Sequence, residues 1–222
     1  MKGNHIEFYL RRIYDTLNGY FGELNWWPAD TPFEVIVGAI LTQNTAWRNA
    51  SAAIKRLKEA EILTPEGLRS VDIDILATLI RPSGCYNVKA HRLKAFIRYL
   101  YAKHKGSLKN LFHGDIWQIR EELLQVKGIG EETADSILLY AGEKPVFVVD
   151  AYTKRVLKHH NLIGQDADYR EIQSLFMTNM PRSVALYNQY HALLVNTGKI
   201  FCTKKKICGE CPLREVTTPA LT

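Results

Sequence analysis

Cysteine is scarce in this 222-residue chain: there are four, and Cys202, Cys208 and Cys211 crowd towards the C-terminus. Cys85 stands alone. The clustering suggests a metal site rather than a disulfide framework. Long apolar runs are missing, none approaching the roughly 18–20 residues of a membrane span. Met1-Lys2-Gly3-Asn4-His5 leads straight into an amphipathic pattern with no signal-peptide core, so a cytoplasmic protein is expected. Strand patterning is almost absent, because the one candidate, Val146-Phe147-Val148-Val149, is too short for a sheet. There is no internal repeat and no low-complexity tract.

What is there is ordinary for a globular protein, with 46% hydrophobic and 23% charged residues. A chain of this length buries one sizeable core or two small lobes. Its formal charge of +6 favours a polyanionic partner such as nucleic acid.

Helical periodicity dominates. Ile6, Tyr9, Leu10, Ile13, Tyr14 and Leu17 give a first helix with one buried face. Thr31-Pro32-Phe33-Glu34 reads as a cap, a proline at the first helical position and a capping-box glutamate. The helix it opens, through Leu41, is apolar nearly all round and so central. Thr42-Gln43-Asn44-Thr45 ends it, and another helix runs from Trp47 to Ala60. Thr64-Pro65-Glu66-Gly67 starts a further helix, and Asp72 or Asp74 caps a short one. Asn87 to Lys103 reads as a long basic helix. More helices are predicted over 116–126, 132–141, 151–159, 169–177 and 184–197. The fold class is all-α.

The most informative stretch is Lys127-Gly128-Ile129-Gly130-Glu131-Glu132-Thr133. Two glycines around one aliphatic residue, with helical patterns on both sides, make a very tight helix–helix connection. Ile129 anchors the turn inside. The N–H groups opening the next helix lack intrahelical acceptors and favour an anion, so Lys127, Gly128, Gly130 and Thr133 are candidate binders of a DNA phosphate. The plainer reading is a glycine cap between two ordinary helices. About twenty residues on, Pro145-Val146-Phe147-Val148-Val149-Asp150 precedes a new helix. Asp150 reads as an N-cap, and the family that these motifs resemble implies a catalytic carboxylate at this place.

These motifs resemble the helix-hairpin-helix (HhH-GPD) DNA glycosylases, which carry a Gly/Pro-rich loop and an aspartate after the hairpin. The resemblance implies a two-lobed helical fold with DNA bound across a central cleft. It predicts a terminal lobe over 1–28 and 143–201, a central lobe over 29–142, and a cysteine loop over 202–222. In such an enzyme the damaged base first leaves the stack. Breaking its bond to deoxyribose builds positive charge on the sugar, which a carboxylate stabilises while orienting the attacking water.

Endonuclease III-like members also cut the backbone, using a lysine in Gly-x-Gly-x-Lys-Thr-Ala. Glu132 holds that place here and cannot form a Schiff base, so a monofunctional enzyme is expected. Lys127 is a poor substitute. Adenine-mismatch members carry a glutamate where this chain has Ala39, which argues against that specificity. Trp26-Trp27-Pro28, Leu41-Thr42-Gln43-Asn44-Thr45, Arg81-Pro82-Ser83-Gly84, Tyr86-Asn87 with Lys89-Ala90, the hairpin with Glu132, and Val149-Asp150 together resemble the type III 3-methyladenine class of the endonuclease III-like branch. That resemblance implies a base pocket of Trp26, Trp27 and Trp47, whose rings suit a cationic alkylated purine. It also implies a wedge of Gln43 and Asn44 for the space a flipped nucleotide leaves. The alternatives are tryptophans that fill a core and polar residues that cap helix ends. Trp117 is assigned to packing, and Arg81, Lys89 and Arg92 are candidate phosphate contacts.

The tail resembles the iron–sulfur loop of endonuclease III-like enzymes, which carries four cysteines. Here the first spacing is one residue short and the fourth position is Thr217. An iron–sulfur cluster with a non-cysteine ligand, a three-cysteine zinc site and a degenerate loop all stay open. The loop's expected role is structural, presenting Lys204, Lys205 and Lys206 to DNA. The expected partner is double-stranded DNA holding a damaged base, met by a monomer, with no cofactor needed for catalysis. Two other readings are an endonuclease III-like pyrimidine or mismatch glycosylase, with or without AP lyase activity, and a non-catalytic hairpin module that only grips DNA.

Overall fold

The computed structural model describes residues 3–24, 26–203 and 207–216. Among them every regular element is helical. In chain order the α-helices are α1 (Gly3–Phe21), α2 (Pro32–Leu41), α3 (Trp47–Glu59), α4 (Pro65–Ser70), α5 (Ile73–Leu79) and α6 (Tyr86–His104). They continue with α7 (Leu108–Leu111), α8 (Ile116–Leu124), α9 (Glu131–Ser136), α10 (Ala151–His159), α11 (Tyr169–Asn179) and α12 (Val184–Ile200). The chain divides into two compact units, Met1–Trp26 with Pro145–Thr222, and Trp27–Lys144.

Local chemistry sets the helix starts. Thr31 accepts a bond from Glu34 N–H with Pro32 at the first turn, and Thr64 does the same for Gly67. Glu34 reaches back to Asp30 N–H at 3.0 Å, one residue earlier than a capping box would place it. Asp72, and not Asp74, caps α5, while Asp168 and Glu171 form a full capping box at α11.

In the terminal unit, Phe147 stacks on Phe176 at 3.7 Å, and Tyr190 crosses both edge-on. Tyr190 also donates to the Leu10 carbonyl at 2.8 Å. Gln189 donates to Asn18 and the Gly22 carbonyl and accepts from Leu24 N–H, which pins α1 to α12. Val146 to Val149 are buried in extended backbone beside these rings and form no strand.

In the central unit every residue of α2 from Phe33 to Leu41 is buried, so it is the axis that its pattern predicts. Lys89 is 2% exposed and donates to the carbonyls of Leu41, at 2.8 Å, and Ser83, at 2.7 Å. It caps the C-terminus of α2 and so is not the phosphate contact expected from sequence. Burial holds its ammonium below the usual lysine range. Trp117 is another correction: assigned to packing, it is 43% exposed. The predicted helix over 132–141 is α9 followed by a π-helical turn, Ile137–Ala141. Such turns cost backbone regularity and often mark functional sites.

Candidate active site

The hairpin between α8 and α9 is built as its sequence requires. Gly128 lies at φ +92°, and a Cβ there would meet Arg92 Cγ at 2.4 Å. Ile129 is 4% exposed and plugs the turn. Gly130 opens α9 in extended backbone with no side-chain cap, leaving the leading N–H groups aimed outward. Lys127 and Glu132 are exposed, while Thr133 is buried. A buried ion pair braces the hairpin from below. Arg120 grips Asp135 with two bonds, 2.7 and 3.0 Å, and Glu131 lies 3.5 Å from the same guanidinium.

Gln43 belongs to this assembly. Its amide donates to the Gly128 carbonyl at 3.0 Å and to Thr133 Oγ1 at 2.9 Å, and its oxygen accepts from Arg92. The side chain therefore ties the α2–α3 turn to the hairpin. Arg92 is half-buried and donates to Gln43 through one of its guanidinium nitrogens; Arg81 is exposed, over the Tyr86 ring. Asn44 is exposed at φ +54° at the tip of the turn. Gly128→Ala is expected to destabilise the protein by about 1–3 kcal/mol in urea unfolding, through backbone strain and the clash with Arg92. Duplex affinity should fall with it.

Trp27 and Trp47 do meet. Their rings are 5.7 Å apart edge-on, and both rest against Gly38, where a Cβ would crowd them at 3.4–3.5 Å. Tyr140, which sequence reasoning passed over, stacks on Trp27 at 4.9 Å from the π-helical turn. Trp27 sits at φ +67°, a strained backbone for so bulky a residue. Its buried indole N–H has no hydrogen-bond acceptor among the described residues, and neither has that of Trp26. Trp26 falls in the terminal unit, apart from the other two in the contact division, with its ring edge-on to His191 and Lys199 Nζ 5.2 Å above it.

Asp150 caps α10 by accepting from Thr153 N–H at 2.7 Å, which fixes the carboxylate's direction. Its side chain keeps 13% of its surface exposed, and its other oxygen lies 3.8 Å from His191 Nε2. Burial lowers the His191 pKa; Asp150 opposes this and Lys199 adds to it. Burial thus favours the neutral imidazole. Sequence gave no signal for this pair, since forty-one positions separate the partners.

Burial likewise lowers His160, against the Val216 carbonyl that it approaches at 3.4 Å. Both histidines take up a proton more readily unfolded, near the ordinary 6.5, than folded. Proton uptake then favours the unfolded chain, so their contribution to stability is whole above pH 6.5 and declines as the pH falls towards 5. Thermal melts from pH 7.5 to 5 check this, and His160→Gln should flatten the decline.

In the tail, Cys202 and Cys211 are buried and Cys208 is exposed, all as free thiols. Burial, with Cys211 and Cys208 nearby, pushes the Cys202 thiol up to about 11. No group of three His, Cys, Asp or Glu side chains among the described residues is arranged to hold a metal ion. The donor set does not fit a four-thiolate cluster either, because the remaining cysteine, Cys85, lies in the central unit. Lys204, Lys205, Lys206 and Thr217 lie outside the described residues.

Residues 37–182 match the model of the HhH-GPD superfamily of base excision DNA repair proteins. The chain belongs to that superfamily. A putative DNA repair glycosylase of Methanocaldococcus jannaschii is 46% identical over 97% of this HhH-GPD chain and 98% of its own length. An endonuclease III of Sulfolobus acidocaldarius is 29% identical over 82% of this chain and 80% of its own. Among solved structures, the Helicobacter pylori 3-methyladenine DNA glycosylase MagIII bound to 1,N6-ethenoadenine has 30% identity and a TM-score of 0.75, covering 87% of this chain and 97% of that one. An endonuclease III trapped in a covalent DNA complex is 23% identical, with a TM-score of 0.81 over 95% of this chain and 94% of that one, and supports the all-α HhH-GPD fold. Among the described residues no helix is long and apolar enough to cross a membrane.

Proposed function

We propose that this DNA glycosylase of base-excision repair is monofunctional and hydrolyses the N-glycosidic bond of a flipped alkylated purine, such as 3-methyladenine, in duplex DNA. The observation that carries this reading is Asp150, a carboxylate held in one direction by the Thr153 N–H yet still open to solvent. In that role it stabilises the positive charge growing on the sugar and orients the water that attacks it. Burial of His191 beside it disfavours a competing cation there.

Several features support the base class. Trp27, Tyr140 and Trp47 offer electron-rich rings, a contact worth about 0.5–2 kcal/mol to a desolvated cationic purine. The Trp27 indole supplies a buried donor that has no acceptor among the described residues. The solved 3-methyladenine glycosylase is 30% identical. Asn44 takes the place of the wedge, since Gln43 is engaged with the hairpin. Lys127, Gly128, Gly130 and Thr133 form the phosphate grip, with Gln43 holding its shape. Glu132 stands where a lyase needs an amine, and its charge is unsuited to that step.

A second reading, a pyrimidine or mismatch glycosylase with lyase activity, is favoured by relatives named endonuclease III. Incubation of the protein with methylated duplex DNA and identification of the released base tests the first reading. Methylpurines without strand cleavage are expected, and borohydride should trap no covalent adduct. Release of pyrimidines alone, or a trapped adduct, overturns it.

A further inference from the structure

Helix α10 starts at the Asp150 cap and carries Ala151, Lys154, Arg155, Lys158 and His159 at the three-and-four spacing of one helical side. Together with Gln165 they line a cavity of about 330 Å³ in the terminal unit. No acidic residue lines it. Arg155 donates to the Gly198 carbonyl at 3.0 Å, and Lys158 donates to the Gln165 carbonyl. Those oxygens are neutral, so they orient the cations without cancelling their charge. Among the described residues, no ion pair joins Lys154, Arg155, Lys158 or His159 to a carboxylate.

Three cations, Lys154, Arg155 and Lys158, gathered around one hollow repel one another, a cost that an anion entering the hollow lowers. The hollow belongs to the terminal unit and the hairpin to the central unit. From Asp150 to Lys158 the helix advances roughly 12 Å, against about 3.4 Å of duplex axis per phosphate on one strand. The row is thus long enough to follow a strand past more than one phosphate.

We propose that this cavity binds the phosphodiester backbone of duplex DNA, on the strand whose sugar faces Asp150. The choice of strand rests on the role given to Asp150; the choice of an anion rests on the cavity alone.

The test measures duplex affinity by fluorescence anisotropy across a salt series, for an undamaged duplex and one holding a stable abasic-site analogue. Each phosphate contact contributes about 0.9 to the slope of log affinity against log salt. Lys154→Gln combined with Lys158→Gln should lower that slope by about two units on both duplexes, with thermal melts confirming the fold. If the pair does not fold, Lys154→Glu alone, at a side chain that makes no hydrogen bond among the described residues, should lower it by about one. A wild-type slope in the folded variants overturns the cavity as a DNA site. Uncharged methylphosphonate linkages beside the abasic analogue then assign the strand. On the lesion strand they should weaken the wild type about tenfold and the double variant no further. Coupling to the opposite strand overturns the strand assignment. None of these readouts depends on base release, so failure to release any base sinks the proposed activity and leaves the slopes to judge the cavity.

Discussion

Asp150→Asn is expected to slow single-turnover base release from methylated duplex by about 10²–10⁴-fold, the usual scale for a lost general acid–base group. The experiment separates chemistry from folding because asparagine caps helices about as well as aspartate. Its side-chain oxygen still accepts from Thr153 N–H, so α10 keeps its start and the melting temperature should stay near wild type. What changes is charge. An amide cannot offset the positive sugar, nor can it take a proton from water. A variant that binds methylated DNA and releases base at the wild-type rate would show that Asp150 is only a cap and that the chemistry does not depend on its charge.

Asp135→Asn should produce the largest loss of stability, about 3–5 kcal/mol in urea unfolding. Asp135 is fully buried and Arg120 is 4% exposed, so removing the carboxylate's charge leaves a buried guanidinium without its main counter-ion. Glu131, at 3.5 Å and partly exposed, compensates poorly. That loss is a large share of a typical 5–15 kcal/mol total. Replacing both partners with apolar residues, Arg120→Met with Asp135→Leu, should instead lie near neutral, since no charge is then stranded. If the single and double variants are equally damaged, the cost arises from packing and not from the unpaired charge.

Most of the helical architecture was legible because its signals act over a few residues. Thr31-Pro32, Thr64-Pro65 and Asp150 each cap the helix that follows them, and the alternation of apolar residues marks which face turns inward. The hairpin was legible for the same reason, since Gly128 must reach φ +92° to make the turn. Side-chain partners were not. Lys89 reads as one more cation on a basic helix until Leu41 and Ser83 are seen to offer it carbonyls. Trp117 reads as core by composition, yet its helix turns that ring to solvent. Gln43 and Asn44 look like equal halves of one polar pair; the structure ties the first to the hairpin and leaves the second exposed.

The sequence by itself determined the helices, their caps, the glycine turn and the family, because hydrogen bonds spanning two to four residues and backbone sterics depend only on neighbours along the chain. Tertiary structure alone decided that Tyr140 stacks on Trp27, that His191 faces Asp150, and that three tail cysteines form no metal-holding group among the described residues. Those outcomes depend on how whole helices rotate and meet. Packing many side chains at once selects that arrangement, and no local pattern encodes it.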